Sequence, residues 1–472
     1  MRESKVLILM VATLFSWGLT ALAQPLSGNY DVGGGNNDYA TPVAAATALV
    51  ANGVSGPVTF NIYNGTYDGQ VDLPGTIVGM GASNPITFQN APGQAPVITS
   101  TSGRGFYLTG ADYITIQGLI ITNYASYGIY NYYSGTDSST FNRFIGNYIY
   151  NSITTAGVHG IYLSKATDCQ VLGNRIDGNY YGINDYYGVR ILFANNMISN
   201  TGYHGIREFY GTDNSYYYNS VYTTSPIGTG TRAAIYLGYS VNTVVKNNIF
   251  YQGATGGPTT AKYAVILTPP DLVTYPIISD FNDLFAPNVN VGLYNLSQQT
   301  LANWQAASGL DIHSISHDPN FVSIAIPGDL HINEPSSVIG VGTPIARVTT
   351  DFDGDVRDLV TPDIGADEFA PAPPPAIDDL VVSLSGAGLH HIILQWSPVA
   401  GAVQYHIYKS TTNWQSGYVL FNSVTDTAYT DNNAITGHTK SFYYVTTDNA
   451  PQNTIEKTSP SLGRLDNAIK NR

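Results

Sequence analysis

The chain has 472 residues, of which only 11% are charged, and it is rich in glycine (48) and tyrosine (36). This length allows two or three domains, and few charges with many glycines is typical of an all-β extracellular protein. The formal net charge of −14 argues against nucleic acid as a partner, because no basic stripe can displace phosphate counterions. An anionic ligand would need a local cluster of Arg and Lys to offset the overall field.

Residues 1–23 are typical of a secretory signal peptide. Arg2 and Lys5 precede an apolar run from Val6 to Leu14, and Ala21-Leu22-Ala23 provides a cleavage site after Ala23. We therefore expect a secreted protein, extracellular or attached to a cell surface. No other apolar run is long enough for a membrane span, so none is predicted.

The segment 42–51 is the best helix candidate in the chain. Thr41 can cap it, a proline occupies its first position, and Gly53 ends it. Its apolar face would consist of Val43, Ala46 and Val50. Because the first rung of a coiled sheet exposes unpaired edges, we interpret this helix as an N-terminal cap.

Two short motifs recur between residues 127 and 284. The first is a small residue followed by a β-branched one, at Gly128-Ile129, Gly160-Ile161, Gly182-Ile183, Gly205-Ile206, Ala234-Ile235 and Ala264-Val265. The second is Asn, any residue, then an aliphatic one, beginning at Asn147, Asn174, Asn196, Asn219, Asn247 and Asn282. A repeat with strand composition and little helix signal indicates a β-solenoid.

In such a coil each rung stacks about 4.8 Å above the last, so equivalent residues form columns. The first aliphatics (Ile129, Ile161, Ile183, Ile206 and Ile235) are predicted to form one inward column. The second aliphatics, including Ile249, are predicted to form another. The glycine before each first aliphatic fits a tight bend, and the Asn residues fit a turn where each bonds to its neighbours above and below.

The closing stretch carries a family resemblance. It contains LANWQAASGLDIHSISHDPNFV, GDLHI, SSVIGVGTP, TTDFDGDVRD and PDIGADEF. With the capping helix and the repeats, it resembles secreted bacterial proteins of the pectin-lyase-like superfamily over residues 28–370. The resemblance implies a right-handed parallel β-helix for residues 24–370. Lyases, hydrolases, epimerases and proteins without known activity share that fold.

The C-terminal part is predicted to be separate. Residues 371–377 form a stiff, proline-rich linker. Residues 378–472 resemble a fibronectin type III module, a small β-sandwich in which Trp396 and Tyr405 would be core residues. Such a module is usually a spacer or a binding module.

Titratable residues on neighbouring rungs define the candidate site. We expected the columns that contain Asp185, Arg207 and Glu208 to face outward together with His204. The connections that lead into the coils of Asp185 and Glu208 are the shortest. This predicts a trough between the longer loops 150–158 and 222–233. A trough lined by Tyr and Asn suits a glycan. The predicted substrate-binding residues are His159, Tyr162, Lys165, Tyr181, Asn184 and Tyr186.

Two mechanisms fit these residues. In β-elimination on a uronate polymer, Arg207 would neutralise the substrate carboxylate while His204, Tyr181 or Lys165 removes the C5 proton. In hydrolysis, Asp185 and Glu208 would share the acid and base roles. The family resemblance favours elimination. A non-catalytic protein that binds a polysaccharide or cell-surface glycan is the alternative, as is a purely structural stalk in which these charges are solvated or paired.

No metal or other cofactor is predicted. The segment 351–355 (DFDGD) resembles a calcium loop but lacks the twelve-residue spacing and the terminal bidentate Glu. We therefore expect an ion-paired C-terminal cap around Arg357, with Ca²⁺ as the weaker alternative. His313 and His317 have no third zinc ligand in reach. We expect the protein to be a monomer.

Overall fold

The computed structural model describes two parts of the chain. The first is residues 24–369, without 36, 136–137, 152–156, 227–228 and 258–260. The second is residues 377–447, without 378, 386–390, 400–401, 403, 412–418, 433 and 435–440. The predicted signal peptide and residues 371–376 of the predicted linker lie outside the described residues. The chain divides into two compact units, residues 1–369 and 370–472.

The first unit is a right-handed parallel β-helix, as predicted, and each coil adds one strand to each of three parallel sheets. Sheet 1 consists of Leu26–Val32, Val54–Ile62, Ile86–Asn90, Ile114–Gln117, Arg143–Ile145, Gln170–Leu172, Leu192–Ala194, Ser215–Tyr217, Thr243–Lys246 and Ile277–Asp280. Sheet 2 consists of Thr66–Asp68, Val97–Ser100, Ile120–Tyr124, Tyr148–Tyr150, Arg175–Asp177, Met197–Ser199, Ser220–Thr223, Ile249–Gln252 and Asp283–Phe285. Sheet 3 consists of Val71–Pro74, Phe106–Thr109, Tyr127–Tyr132, His159–Ser164, Tyr181–Tyr186, His204–Phe209, Arg232–Gly238, Lys262–Leu267 and Asn290–Tyr294, with Leu296–Gln298 as an antiparallel edge strand. The short strands Ser139–Thr140 and Ala166–Thr167 pair at one corner.

The predicted first column of aliphatics is confirmed. Ile161, Ile183 and Ile206 are direct partners on successive rungs of sheet 3, and all three are fully buried. The glycine before each of them faces the crowded interior. A Cβ on Gly182 would lie 2.4 Å from Ile198 Cγ2 and 2.6 Å from the Gly205 carbonyl oxygen. A larger residue would therefore force neighbouring rungs apart.

A buried asparagine ladder follows the turn between sheets 1 and 2. Its members are Asn147, Asn174, Asn196, Asn219, Asn248 and Asn282. Each Nδ2 donates to the Oδ1 of the next member at 2.9–3.0 Å, so every amide points toward the C-terminal end. The ladder ends on a carboxylate, where Asn282 Nδ2 donates to Asp311 Oδ1 at 3.0 Å.

One predicted rung was wrong by one residue. Asn248, rather than Asn247, is the ladder member, and Phe250, rather than Ile249, pairs with Val221 in the second column. In a strand, a shift of one residue reverses the side that each residue faces. Asn247 instead holds the closing segment, donating from Nδ2 to the Thr343 carbonyl oxygen at 2.6 Å.

The N-terminal cap is a helix, α1, at Pro42–Asn52, and it packs on the first strands of sheets 1 and 3. Thr41 Oγ1 accepts from the Ala44 backbone N–H at 3.1 Å. The predicted apolar face was partly wrong, because Val50 is 37% exposed. The buried positions follow the i, i+3, i+4 spacing of one helix face; they are Pro42, Ala45, Ala46 and Leu49.

The other end of the coil is covered by a helix that the sequence analysis missed, α2 at Leu301–Ser308. Its Trp304 is fully buried against Gly292 of sheet 3, where a Cβ would lie 2.2 Å from the indole. Neither described helix is long and apolar enough to cross a lipid bilayer.

The expected cap around Arg357 lies in a different place from the one predicted. Arg357 Nη1 pairs with Glu368 Oε2 at 3.1 Å, and Arg357 Nη2 donates to Asn195 Oδ1 at 3.0 Å. The segment therefore lies along the flank of the coil rather than over its end. Its strands Phe321–Ser323 and Asp329–Ile332 form a hairpin near sheet 2.

The second unit contains two antiparallel sheets. The first has strands Val381–Ser385, His391–Gln395 and Ala428–Asp431, and the second has Val419–Val424, Tyr405–Ser410 and Phe442–Thr447. Trp396 and Tyr405 are buried in its core with their rings 5.3 Å apart. The fibronectin type III resemblance stays a prediction.

Candidate functional site

The outer face of sheet 3 presents two adjacent columns of rings. The column after the first aliphatics contains Tyr107, Tyr130, Tyr162, Asn184, Arg207 and Tyr236. The column before them contains Tyr127, His159, Tyr181 and His204. The rings contact each other along the coil axis; His159 stacks between Tyr127 at 5.0 Å and Tyr181 at 4.7 Å. The result is a continuous aromatic surface across several rungs.

Cations are distributed along this surface. The Arg104 guanidinium lies 4.2 Å from the Tyr107 ring, the Arg207 guanidinium lies 4.7 Å from the Phe209 ring, and the Lys165 ammonium lies 4.0 Å from the Tyr133 ring. Arg232 and Lys262 begin adjacent strands as direct partners. The sequence analysis missed Arg104, Arg232 and Lys262. The first aliphatic residue of each coil could have shown to which rung each of these cations belongs.

The acidic residues within the strands from Phe106–Thr109 to Lys262–Leu267 are Asp185 and Glu208. Both have zero exposure and face the interior. Their predicted outward placement was therefore wrong. Successive side chains of a strand alternate between its two faces, so a residue two positions after an inward isoleucine also points inward. Asp185 and Glu208 share their column with the buried Leu163 and Leu237.

Inside the coil, the carboxyl groups of Asp185 and Glu208 both accept hydrogen bonds from the Asn214 side-chain amide. Asn214 Nδ2 donates to Asp185 Oδ2 at 3.0 Å and to Glu208 Oε2 at 2.9 Å. Tyr216 and Thr243 donate further hydrogen bonds to Glu208, at 2.8 and 2.7 Å. Burial and the neighbouring Glu208 raise the pKa of Asp185 well above its ordinary value. With no exposed surface, the pair has no contact with a polymer, and the predicted hydrolytic roles do not fit this geometry.

The two histidines are buried and neutral. Burial, together with the charge of Arg207, lowers the pKa of His159 and of His204 to about 3. His204 Nδ1 accepts from the Ala233 backbone N–H at 3.0 Å, so the proton of the neutral ring lies on Nε2. His204 therefore acts as a hydrogen-bond donor at Nε2, which does not fit its predicted role as a base.

Arg207 is the centre of the polar part of the face. Its Nη1 donates to Asn184 Oδ1 at 3.0 Å. Burial raises the pKa of Tyr162 and of Tyr181 to about 12, against the opposing charge of Arg207. The structure thus brings Tyr162, Tyr181, Asn184 and Arg207 together.

Lys165 and Tyr186 lie at the edge of the face, where sheet 3 turns toward sheet 1. Tyr186 stacks on Phe209 with ring centres 6.1 Å apart, and Lys165 is exposed. The predicted walls of the trough lie partly outside the described residues, at 152–156 and 227–228.

One cluster in the closing segment contains residue types that could hold a metal ion. His331, Asp353 and Asp367 offer ligand atoms within 4.8 Å of one another. His331 Nε2 lies 2.8 Å from Asp353 Oδ2, and Nδ1 lies 2.5 Å from Asp329 Oδ1. An imidazole with carboxylates suits a transition metal better than Ca²⁺, which prefers oxygen ligands.

Comparison with solved structures finds other β-helix proteins at low identity. A periplasmic alginate epimerase is 16% identical with a TM-score of 0.31, and the match covers 52% of this chain and 62% of that one. This chain therefore spans less than two thirds of the epimerase. An alginate lyase from Paenibacillus is 17% identical with a TM-score of 0.29, covering 54% of this chain and 94% of that one. A rhamnogalacturonan lyase is 11% identical with a TM-score of 0.33, covering 71% and 96%.

No curated protein sequence matches the chain. Residues 98–266, which include the rungs that carry Arg104, Arg207 and Lys262, match the family model described as a right-handed beta helix region.

Proposed function

We propose that the protein binds an acidic polysaccharide, such as a uronic acid polymer, along the outer face of sheet 3. The observation that carries the proposal is the sorting of charge across the strands of this sheet from Phe106–Thr109 to Lys262–Leu267, beyond the exposed Asp72 of its first strand. Arg207, Arg232 and Lys262 belong to its strands and Arg104 and Lys165 flank them, whereas its two carboxyl groups between Phe106 and Leu267 are inside the coil. A chain with a net charge of −14 thus has a positive, aromatic strip.

The side chains of the strip match the two parts of an acidic sugar, its apolar ring face and its carboxylate. Tyrosine rings cover the apolar faces of sugar rings, and guanidinium groups pair with carboxylates through a planar fork. Secretion, predicted from residues 1–23, would bring the strip into contact with extracellular polymers.

The test is affinity electrophoresis or calorimetry with alginate, polygalacturonate and neutral dextran. We expect both acidic polymers to bind, dextran to bind much more weakly, and added salt to weaken the acidic binding. Arg207→Gln should weaken binding about tenfold, which corresponds to the loss of one charge-assisted contact. Arg143→Gln is the matched control, because Arg143 is exposed on sheet 1. Equal binding of dextran, or an equal loss in the control variant, contradicts the proposal.

A second candidate function is β-elimination on the same polymer. The observation that favours it is the position of Arg207, close enough for its charge to lower the pKa of Tyr181 against the effect of burial. In that reaction Arg207 would neutralise the substrate carboxylate and Tyr181 would transfer the proton. Binding remains the first proposal, because neither residue is suited to remove the C5 proton. Tyr181 has a pKa of about 12, and His204 holds its proton on Nε2.

Elimination creates an unsaturated sugar that absorbs ultraviolet light. Incubation with alginate or polygalacturonate should raise the absorbance near ~235 nm, and Tyr181→Phe should abolish the increase while polymer binding persists. Binding without any increase in absorbance rules out elimination and leaves the binding proposal intact.

A further inference from the structure

A second aromatic feature lies at the corner that follows sheet 3. Tyr187, Tyr210 and Tyr239 occupy the same position on successive rungs and stack with ring centres 4.8 and 5.3 Å apart. All three have left-handed backbone, with φ of 60°, 60° and 53°. A non-glycine residue in this region costs on the order of 1 kcal/mol, and ring stacking of similar size offsets it.

The stack stops at Tyr239. Leu237 pairs with Leu267, so the position above Tyr239 on the next rung belongs to Pro269. Proline has no aromatic ring to continue the stack, and a shallow cavity of about 340 Å³, broadly open to solvent, lies beside it. Its lining includes Tyr239, Leu267, Thr268, Pro269, Leu293 and Asn295. Tyr275 packs edge-to-face on Tyr239 with ring centres 5.7 Å apart.

The lining has the two properties that a sugar ring requires. Tyr239 and the aliphatic side chains provide apolar surface, and the Thr268 hydroxyl and the Asn295 amide provide hydrogen-bonding groups. Thr268 Oγ1 is already oriented by Tyr236, whose hydroxyl lies 3.0 Å away. None of the lining residues is charged, which distinguishes the cavity from the positive strip.

We propose that this cavity binds one uncharged pyranose ring, stacked on Tyr239 as the next ring of the column. The volume is at the lower end of the range for ligand pockets, which run from about 300 Å³, and suits a single sugar residue. The cavity adjoins Tyr236 of the strip, so a neutral sugar of a mixed polysaccharide could occupy it. The inference itself does not depend on the binding of an acidic polymer.

The test is titration of the full chain with methyl β-D-galactopyranoside, with galacturonate as the charged counterpart and p-cresol as an aromatic probe. Binding is followed by saturation-transfer NMR or calorimetry. We expect the galactoside to bind with a millimolar Kd and more tightly than galacturonate. Tyr239→Ala should weaken binding about tenfold, as for the loss of one stacked ring.

Two variants make the test specific. Tyr187→Ala removes a ring of the same column that does not line the cavity, and it should change the affinity less than about twofold. Asn295→Gly keeps the left-handed backbone at φ 60° while removing the amide, and it tests the cavity if Tyr239→Ala does not fold. The proposal is overturned if the galactoside does not bind at up to about 50 mM. It is also overturned if Tyr187→Ala weakens galactoside binding as much as Tyr239→Ala does, or if galacturonate or p-cresol binds more tightly than the galactoside.

Discussion

Arg207 donates from Nη1 to Asn184 Oδ1 at 3.0 Å, and the two residues are direct partners on adjacent rungs of sheet 3. The guanidinium also lies over the Phe209 ring, 4.7 Å from its centre. Because Arg207 has no acidic partner among the residues of its own and adjacent strands that face outward, its charge is available to a ligand. An amide orients the cation without neutralising it.

This contact predicts the behaviour of two variants of Asn184. Asn184→Ala frees the guanidinium and should weaken binding of alginate or polygalacturonate about three- to tenfold, because ordering a long side chain costs on the order of 1 kcal/mol. Asn184→Asp should weaken it more, since the new carboxylate pairs with Arg207. Calorimetry measures both. Asn242→Ala is the control, because Asn242 lies outside the strands of sheet 3, where its Nδ2 donates to Asp213 Oδ1 at 3.0 Å. An Asp variant that binds as well as the wild type contradicts this role of Arg207.

The second prediction concerns pH and His204. Its pKa is about 3 in the folded protein, below its ordinary value of 6.5, chiefly because of burial. The unfolded chain therefore takes up a proton at a higher pH than the folded one, and stability is lost as the pH falls from 6.5 toward 3. At pH 5 the loss is about 2 kcal/mol.

His204→Asn should remove this loss, because an amide oxygen can replace Nδ1 as acceptor for the Ala233 N–H. Urea unfolding between pH 7 and pH 5 should show a shallower decline in the free energy of unfolding for this variant than for the wild type. His317→Asn, at an exposed site, should follow the wild type. Parallel declines for all three proteins would falsify the burial of a neutral His204.

The third prediction concerns the carboxyl pair inside the coil. Burial and Glu208 raise the pKa of Asp185, so the folded protein holds a proton that the unfolded chain releases above its ordinary pKa. Stability due to this group is therefore present at low pH and lost as the pH rises toward the folded pKa. Asp185→Asn should raise the free energy of unfolding by about 1 kcal/mol or more at pH 8.

Thermal unfolding from pH 5 to pH 8 checks this prediction, and the advantage of Asp185→Asn should increase with pH. Asp168→Asn is the contrasting control, since Asp168 pairs with Arg190 at 2.7 Å on the surface. Should Asp185→Asn be less stable than the wild type at pH 8, the proton assignment is wrong.

The sequence predicted what depends on strand periodicity and missed what depends on tertiary contacts. The inward isoleucines, the turn asparagines and the capping helix follow from local patterns, so most of them were found. Asp185 and Glu208 were misplaced because a charged residue at an inward position breaks the usual alternation. It is tolerated there because Asn214 donates to both carboxyl groups, and Tyr216 and Thr243 donate to Glu208 as well. Likewise, the one-residue shift that places Asn248 in the ladder turns Asn247 toward the closing segment, where its Oδ1 accepts from the Thr343 backbone N–H.

The last prediction concerns the end of the asparagine ladder. Asp311 Oδ1 accepts from Asn282, Ser279 and Ser314 at 3.0, 2.9 and 2.7 Å, and Oδ2 accepts from Trp304 Nε1 at 2.8 Å. In Asp311→Asn one of these oxygens becomes an NH₂ group, which cannot accept. The serine hydroxyls can reverse their direction, but the Asn282 amide and the Trp304 indole cannot.

Asp311→Asn should therefore place the new NH₂ group against a second buried donor, the Asn282 amide or the Trp304 indole, and cost about 1–3 kcal/mol. Trp304→Phe removes the indole N–H, so in the double variant the new NH₂ group no longer faces another donor. The double variant should be more stable than the sum of the two single changes by about 1 kcal/mol. Urea unfolding followed by circular dichroism measures the cycle. Asp280→Asn is the control, because the Asp280 carboxylate lies near the surface, 2.7 Å from His313 Nδ1. If the two changes in the free energy of unfolding are strictly additive, the ladder does not end on the Asp311 carboxylate. Coupling between them would show that the same carboxylate stabilises helix α2 and the ladder.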